Sequence, residues 1–227
     1  GSLKSAVSFE NVSDVLIDGI VFKGNGPATQ PCGSAGFESC PGSPRVTFRG
    51  ATNVIIRDST FRDFGDYRKD ANGKVLAYAQ GIVAFGGTDW LVENSRFIGN
   101  SGDGIAFSNG TRRVEVRGSY FEANDDSSGP VCTIGGAGFH IHGNHVVQRS
   151  GSIAPLIVMD RCTDWQVSNN RIYGVANQQG QQTGQGIRVA RYAVEDSSHV
   201  SHDFTISGNV FIGTATAIRV ANAGTVQ

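Results

Sequence analysis

A nine-residue pattern recurs seven times along the chain, and it constrains the fold more than any other feature of the sequence. Each copy has two apolar residues separated by one position, then a few small or polar residues, then another apolar residue. The copies are "DVLIDGIVF" 14–22, "NVIIRDSTF" 53–61, "DWLVENSRF" 89–97, "RVEVRGSYF" 113–121, "GFHIHGNHV" 138–146, "DWQVSNNRI" 164–172 and "DFTISGNVF" 203–211. They start 39, 36, 24, 25, 26 and 39 residues apart. Because period-2 alternation predicts strands with one buried face, we expect seven equivalent β units.

A shorter apolar segment precedes most of these copies, and it completes the repeating unit. These segments are "VSFE" 7–10, "VTF" 46–48, "GIVAF" 81–85, "GIAF" 104–107, "PLIVM" 155–159, "GIRVA" 186–190 and "AIRVA" 217–221. In "PLIVM" we expect Leu156 and Val158 to face the core, with Ile157 and Met159 outward. Three short strands in about 24 residues predict an all-β, single-stranded parallel β-helix of about 7–8 coils, stacked ~4.8 Å apart.

The bend inside the long copy carries residues suited to a tight turn. Gly, Asn or Asp precedes the bend position in every copy, and these residues tolerate left-handed backbone conformations. The bend position itself reads Ile20, Ser59, Ser95, Ser119, Asn144, Asn170 and Asn209. Stacked Asn144, Asn170 and Asn209 side chains could hydrogen-bond along the column and satisfy the turn amides, which predicts an asparagine ladder.

These features resemble the right-handed parallel β-helix proteins of the pectin-lyase-like superfamily, which carry an asparagine ladder between their second and third strands. The resemblance covers nearly the whole chain and implies one β-helix domain over 1–227. Gly1-Ser2 is typical of an expression-tag remnant. Neither end carries an amphipathic cap, so we expect either an excerpt of a longer chain with flanking domains or a protomer whose ends are covered, as in homotrimeric phage tailspikes.

The resemblance also implies where a site would lie. In the resembled enzymes, sugar chains lie along the first sheet between long loops at one corner, which here correspond to 23–45, 62–80, 122–130, 147–154 and 173–185. Asp103 enters a first strand, Asp160 leaves another, and Arg188 lies on the outer face; these are the candidate catalytic residues. Paired carboxylates serve glycoside hydrolysis, and an arginine base serves β-elimination.

Further residues around this groove are candidates for substrate binding: Arg161, Arg191, Arg219, Asp125, Asp126, Tyr67 and Arg68. Arg188 and Arg219 occupy equivalent positions on adjacent coils, where their charges repel unless an acidic sugar lies across them. The alternative is solvated arginines and ordinary turn aspartates. The catalytic motifs of polygalacturonases, pectate lyases and alginate epimerases are absent, so no catalytic residue carries over from those families.

The outward positions of the second strand raise two further questions. They read Leu16, Ile55, Leu91, Glu115, His140, Gln166 and Thr205. The apolar part predicts a cover, such as a loop, a missing segment or another subunit.

His140 and His142 face outward on one strand, whereas His145 follows the bend on a different sheet. We therefore expect an incidental role and no metal site, with a two-histidine surface site as the alternative. No cofactor is expected; the alternative is a structural or catalytic Ca²⁺ ion.

The net charge and the cysteines indicate which partners and which redox compartment suit the protein. The net charge of −1 provides no electrostatic footprint for nucleic acid or anionic membranes. Cys32 and Cys40 flank a short Gly-rich loop, where a disulfide would imply an oxidising compartment; buried thiols are the alternative.

The leading hypothesis is a secreted or virion-surface β-helix that binds a polysaccharide and cleaves or modifies it as a lyase or glycoside hydrolase. The alternatives are a non-catalytic tailspike or adhesin module and an intracellular adaptor module.

Overall fold

The chain winds in successive coils around one core, and each coil presents three strands to three sides of that core. The computed structural model describes residues 7–24, 46–69, 75–77, 79–108, 110–124, 131–148, 155–176, 179–182, 184–190 and 201–220. These residues contain strands and turns but no helix, and hence no helix that could span a membrane. The all-β prediction is confirmed.

Strands of the same rank in each coil pair side by side in parallel. The first strands are β1 (Val7–Glu10), β4 (Val46–Arg49), β9 (Ile82–Phe85), β12 (Ile105–Ser108), β19 (Gln185–Ala190) and β22 (Thr216–Val220). The second strands are β2 (Ser13–Asp18), β5 (Thr52–Arg57), β10 (Thr88–Glu93), β13 (Arg112–Arg117) and β20 (His202–Ser207). In β15 (Val131–His142) and β17 (Pro155–Ser168) the first and second strands are continuous. The third strands are β3 (Val21–Lys23), β6 (Thr60–Arg62), β11 (Arg96–Ile98), β14 (Tyr120–Glu122), β16 (His145–Val147), β18 (Arg171–Tyr173) and β21 (Val210–Ile212).

The register between coils follows the repeat of the sequence. Val15, Val54, Trp90, Val114, Phe139, Trp165 and Phe204 are successive partners along the second strands. The same holds along the third strands for Phe22, Phe61, Phe97, Phe121, Val146, Ile172 and Phe211. The unequal steps of the repeat therefore reflect segments of different length between strands that keep the same register, and the predicted right-handed parallel β-helix is confirmed.

Aromatic side chains fill much of the interior, because a column of equivalent positions places like residues one coil apart. The rings of Phe22, Phe61, Phe97 and Phe121 stack with centroid separations of 5.0, 5.1 and 4.8 Å. These separations match the spacing of neighbouring strands, so stacking costs no distortion of the coils. The interior is a continuous apolar column.

A ladder of side chains runs along the bend between the second and third strands. Asn170 Oδ1 accepts from the backbone N–H of Asn144 at 3.0 Å, and Asn209 Oδ1 accepts from that of Asn170 at 2.9 Å. Toward the N-terminus, serines continue it, with Ser119 Oγ accepting from the N–H of Ser95 at 3.1 Å. The seven residues before the bend all have φ between 48° and 65°, as the Gly/Asn/Asp pattern predicts.

Three local features differ from the expectations. Residues 131–134, at the start of β15, form a first strand that the repeat analysis did not identify. In β17, Ile157 and Met159 face the core and are fully buried, which reverses the predicted orientation. The reason is register: Ile157 pairs with Ile187 and Met159 with Val189, one position from the alignment by apolar residues alone. The predicted loop 62–80 contains an antiparallel hairpin of β7 (Asp66–Lys69) and β8 (Val75–Ala77).

Candidate functional site

The two predicted catalytic carboxylates lie at the first sheet, but neither side chain reaches solvent. Asp103 and Asp160 are both 0% exposed. Asp160 is in register with Ala190 and forms an ion pair with Arg161, whose Nε lies 3.5 Å from Asp160 Oδ1. A substrate could contact these carboxylates only after a rearrangement that uncovers them. The catalytic roles of Asp103 and Asp160 stay predictions.

The predicted arginine pair lies where the repeat places it. Arg188 of β19 and Arg219 of β22 are direct register partners on adjacent coils. Arg188 is half-buried and Arg219 is exposed. Arg191, Asp125, Asp126, Cys32 and Cys40 lie outside the described residues. Tyr67 and Arg68 lie in β7, but their side chains are outside the described part of the structure. The proposed disulfide is untested, and Cys162 is a buried thiol.

The outer face of the first sheet is closed in the central coils. Thr47 and Val83, which are register partners, are each 3% exposed, and Ala106 on the next coil is 8% exposed. All three point away from the core, because their neighbours along each strand are the fully buried core residues. An open groove along the whole first sheet is therefore absent from the described residues.

An open cleft lies instead on the outer face of the second sheet, at the column where sequence analysis expected a cover. Its volume is about 410 Å³. Ile55 and Leu91, which are register partners, provide half-exposed apolar side chains for its floor. Four neighbouring coils contribute the lining: Asn53, Val54, Ile55, Asp89, Trp90, Leu91, Arg113, Val114, Glu115, Gly138 and His140.

Hydrogen-bonding groups on the rim of this cleft are held by their neighbours on adjacent coils. Arg113 bonds Asp89 through two atoms, with Nε–Oδ1 at 2.6 Å and Nη2–Oδ2 at 2.7 Å. This pair lowers the pKa of Asp89 well below its usual range, so the carboxylate is ionised at neutral pH. Asn53 donates from Nδ2 to Asp14 Oδ1 at 2.6 Å. The cleft thus combines an apolar floor with oriented polar groups.

Glu115, His140 and His142 meet at one end of the cleft. His142 Nε2 lies 2.9 Å from Glu115 Oε1, and the rings of His140 and His142 stack with centroids 4.0 Å apart. The hydrogen bond to His142 lowers the pKa of Glu115. Burial, and secondarily the neighbouring His142, lowers the pKa of His140 and favours its neutral form.

His145 is separate from this cluster, as expected, because it lies on the third sheet and stacks on Tyr173 at 4.7 Å. The contact that sequence analysis missed is Glu115, which is the register partner of His140. Aligning the repeats already places Glu115 and His140 in one outward column. The signal for this contact therefore lies in the comparison across coils and not in the pattern along one strand.

Comparison with known proteins agrees with this architecture. A family model described as "Right handed beta helix region" matches residues 2–154 and 45–227. Among solved structures, the chain is similar to PfbA, a surface adhesin of Streptococcus pneumoniae, with a TM-score of 0.53 and 15% identity over 94% of this chain and 58% of that chain. It is similar to the periplasmic alginate epimerase AlgG at a TM-score of 0.33 and 11% identity, over 80% of this chain and 52% of that chain. No curated protein matches the sequence.

The likeness to the adhesin concerns the fold alone, since 15% identity is below a level that would carry function. The chain spans 58% of the adhesin chain. The two family matches overlap and together reach from residue 2 to residue 227, so they cover every coil described above. The sequence repeat, the register between coils and the side-chain ladder all agree with that match. The chain belongs to the right-handed beta helix family.

Proposed function

We propose that this protein is a surface recognition module that binds a glycan in the cleft on its second sheet. The observation that carries the proposal is the composition of the cleft, an apolar floor surrounded by fixed hydrogen-bonding groups. A sugar ring has apolar C–H faces and a belt of hydroxyl groups, so it needs both kinds of surface in one shallow site. The Arg113–Asp89 ion pair and the hydrogen bond from Asn53 to Asp14 orient the polar groups before binding, which lowers the entropic cost of association.

The charges of the cleft favour a neutral glycan over an acidic one. Asp89 and Glu115 are anionic, and the one arginine of the lining, Arg113, already bonds Asp89 in two places. An acidic sugar would have to compete with that carboxylate and would also face the repulsion of Glu115. A neutral chain along the cleft avoids both costs.

The similarity to a surface adhesin supports a location at a cell surface. That similarity covers the fold at 15% identity, so the location and the polysaccharide partner are part of the proposal. A homotrimer or flanking domains at the ends of the helix remain a further expectation. The proposed role is recognition alone: the rigid scaffold positions the cleft, and no catalysed reaction is required.

Binding to a panel of neutral and uronate-containing polysaccharides, measured by calorimetry, tests the proposal. Leu91→Lys should lower the affinity for a bound neutral glycan by about tenfold or more, equivalent to about 1.4 kcal/mol. Leu16→Lys is the matched control, because Leu16 occupies the same outward column on the first coil but lies outside the cleft. Equal affinities of the two variants, or no glycan bound by the wild-type protein, would contradict the proposal.

A second candidate function is polysaccharide cleavage at the first sheet, and one observation favours it. Asp160 is a fully buried carboxylate on the outer side of its strand and pairs with Arg161, a costly arrangement for a group that serves packing alone. Incubation with the same panel distinguishes the two functions. New reducing ends, or the ultraviolet absorbance of unsaturated uronates, that disappear in Asp103→Asn and Asp160→Asn would establish the enzyme. Binding without either product supports the recognition module.

A further inference from the structure

Glu115, His140 and His142 bring one carboxylate and two imidazoles together on the outer face of the second sheet. We propose that these three side chains bind one divalent transition-metal ion, such as Zn²⁺. The ligand atoms that they offer all lie within 4.8 Å of one another. The inference does not rest on glycan binding, because it concerns the metal ion alone.

The distances are close to those that a metal ion requires. Zn²⁺ binds imidazole nitrogen and carboxylate oxygen at ~2.0–2.2 Å, so two ligand atoms of a tetrahedral site are about 3.3 Å apart. His142 Nε2 and Glu115 Oε1 are already 2.9 Å apart. A metal ion would replace the proton that these two atoms share. The His140 ring stacks on that of His142 with centroids 4.0 Å apart, so it would have to rotate to direct a nitrogen at the same ion.

The backbone holds the three ligands on rigid elements. His140 and His142 are two residues apart on β15, so both project from the same face of that strand. Glu115 lies on the neighbouring β13 in direct register with His140. Hydrogen bonding between the two strands fixes the backbone positions of the ligands before binding, so a metal ion requires side-chain rotation but no loop assembly.

The surrounding charges permit a cation despite a nearby arginine. Arg117 Nη1 lies 3.1 Å from Glu115 Oε1. The same arginine is also held by Glu93, whose Oε2 accepts from Nε at 3.0 Å and from Nη2 at 2.8 Å. Arg117 can therefore keep its bonds to Glu93 when Glu115 binds a metal ion. Two carboxylates against one guanidinium leave a net negative charge at the site.

The donor set selects the class of metal. Two imidazoles and one carboxylate suit Zn²⁺, Ni²⁺ or Cu²⁺, whereas Ca²⁺ and Mg²⁺ require mainly oxygen ligands. Three protein ligands also leave a fourth position for water or a ligand atom. Glu115 and His140 also line the cleft, so a metal ion held by them would be near a molecule bound there.

Calorimetric titration of the chelator-treated 227-residue protein with ZnCl₂, in the absence of any glycan, tests the proposal. We expect saturable binding of one ion per chain. Since loss of an outer-sphere partner typically costs ~10–100-fold in metal affinity, loss of a ligand in His140→Ala, His142→Ala or Glu115→Gln should cost at least about tenfold. His145→Ala is the matched control, because His145 lies on the third sheet, and it should leave the affinity unchanged.

Thermal melting of each variant without metal verifies that it folds. If His142→Ala fails to fold, the affinities of His140→Ala and Glu115→Gln for Zn²⁺ still test the site. Titration with Co²⁺ provides a second readout, because a four-coordinate Co²⁺ site absorbs visible light. Affinity loss in the ligand variants alone supports the site. Absence of saturable binding, or binding that survives His140→Ala and Glu115→Gln, overturns it. So does binding lost with His145→Ala or with a substitution at the His202–Asp203 pair, which is 2.7 Å apart.

Discussion

At the scale of single residues, the ladder at the bend shows how one side chain can replace the hydrogen bonds that a tight turn leaves unmade. Asn170 is fully buried and uses both ends of its carboxamide. Its Oδ1 accepts from the backbone N–H of Asn144 at 3.0 Å, and its Nδ2 donates to the carbonyl oxygen of Ile141 at 3.0 Å. A buried donor without a partner costs about 1–3 kcal/mol, so each rung stabilises the adjacent turn.

Asn170→Ala should therefore lower the free energy of unfolding by about 2 kcal/mol or more, because the N–H of Asn144 loses its acceptor. Asn170→Ser is the matched control. A serine oxygen already performs this task at Ser119, where it accepts from the N–H of Ser95 at 3.1 Å. Urea denaturation followed by circular dichroism should place the serine variant between wild type and alanine. Equal stabilities of the alanine and serine variants would show that the ladder contributes no hydrogen-bond energy.

The sequence predicted this ladder and the left-handed residues before it, because both depend on residue types at fixed positions in the repeat. It did not predict the second ladder beyond the third strands, where Asn124 Oδ1 accepts from the N–H of Asn100 at 3.2 Å. Those asparagines lie at the start of loops of varying length, so no alignment of the strand copies includes them. Nor did it predict that Asp103 and Asp160 are buried, since burial of a surface-facing residue depends on what folds over it.

At the scale of elements, the third strands carry the longest aromatic stack of the described core. Phe97 in β11 is fully buried between Phe61 at 5.1 Å and Phe121 at 4.8 Å. The sequence identified this column because the apolar residue closes each repeat copy. It misjudged β17, because consecutive apolar residues in "PLIVM" contain no alternation that distinguishes the inner face from the outer one.

Phe97→Ala should destabilise the protein by about 3–5 kcal/mol, as expected for truncating a fully buried phenylalanine. Phe22→Ala at the end of the stack should cost clearly less, because Phe22 is only half-buried and its ring stacks on Phe61 alone, at 5.0 Å. Chemical denaturation of both variants provides the comparison. Similar losses for the two substitutions would indicate that stability does not depend on position along the stack.

At the scale of the whole molecule, the coils form a one-dimensional array in which each coil contacts only its neighbours. The second strands β10 and β13 pair with a strand on either side, whereas β2 and β20 each pair on one side within the described sheet. Burial of the core-facing side chains follows the same order: Val15 and Phe204 in the end coils are partly buried, whereas Trp90 and Val114 between them are each 2% exposed. In such an array, stability is approximately a sum of coil and interface contributions, so coils with two interfaces should open least often.

Hydrogen exchange measured by mass spectrometry on the 227-residue chain should reveal this gradient. We expect peptides from β10 and β13 to retain protection longest, because their amides are paired on both sides and their inward side chains Trp90, Val92, Val114 and Val116 are buried. Peptides from β2 and β20 should exchange first. Phe97→Ala should accelerate exchange in β10 and β13 more than Phe22→Ala does, because Phe97 lies in the same coil as β10 and its ring stacks on Phe121 in the coil of β13. Uniform protection across all four strands would instead mean that the coils unfold as a single cooperative unit.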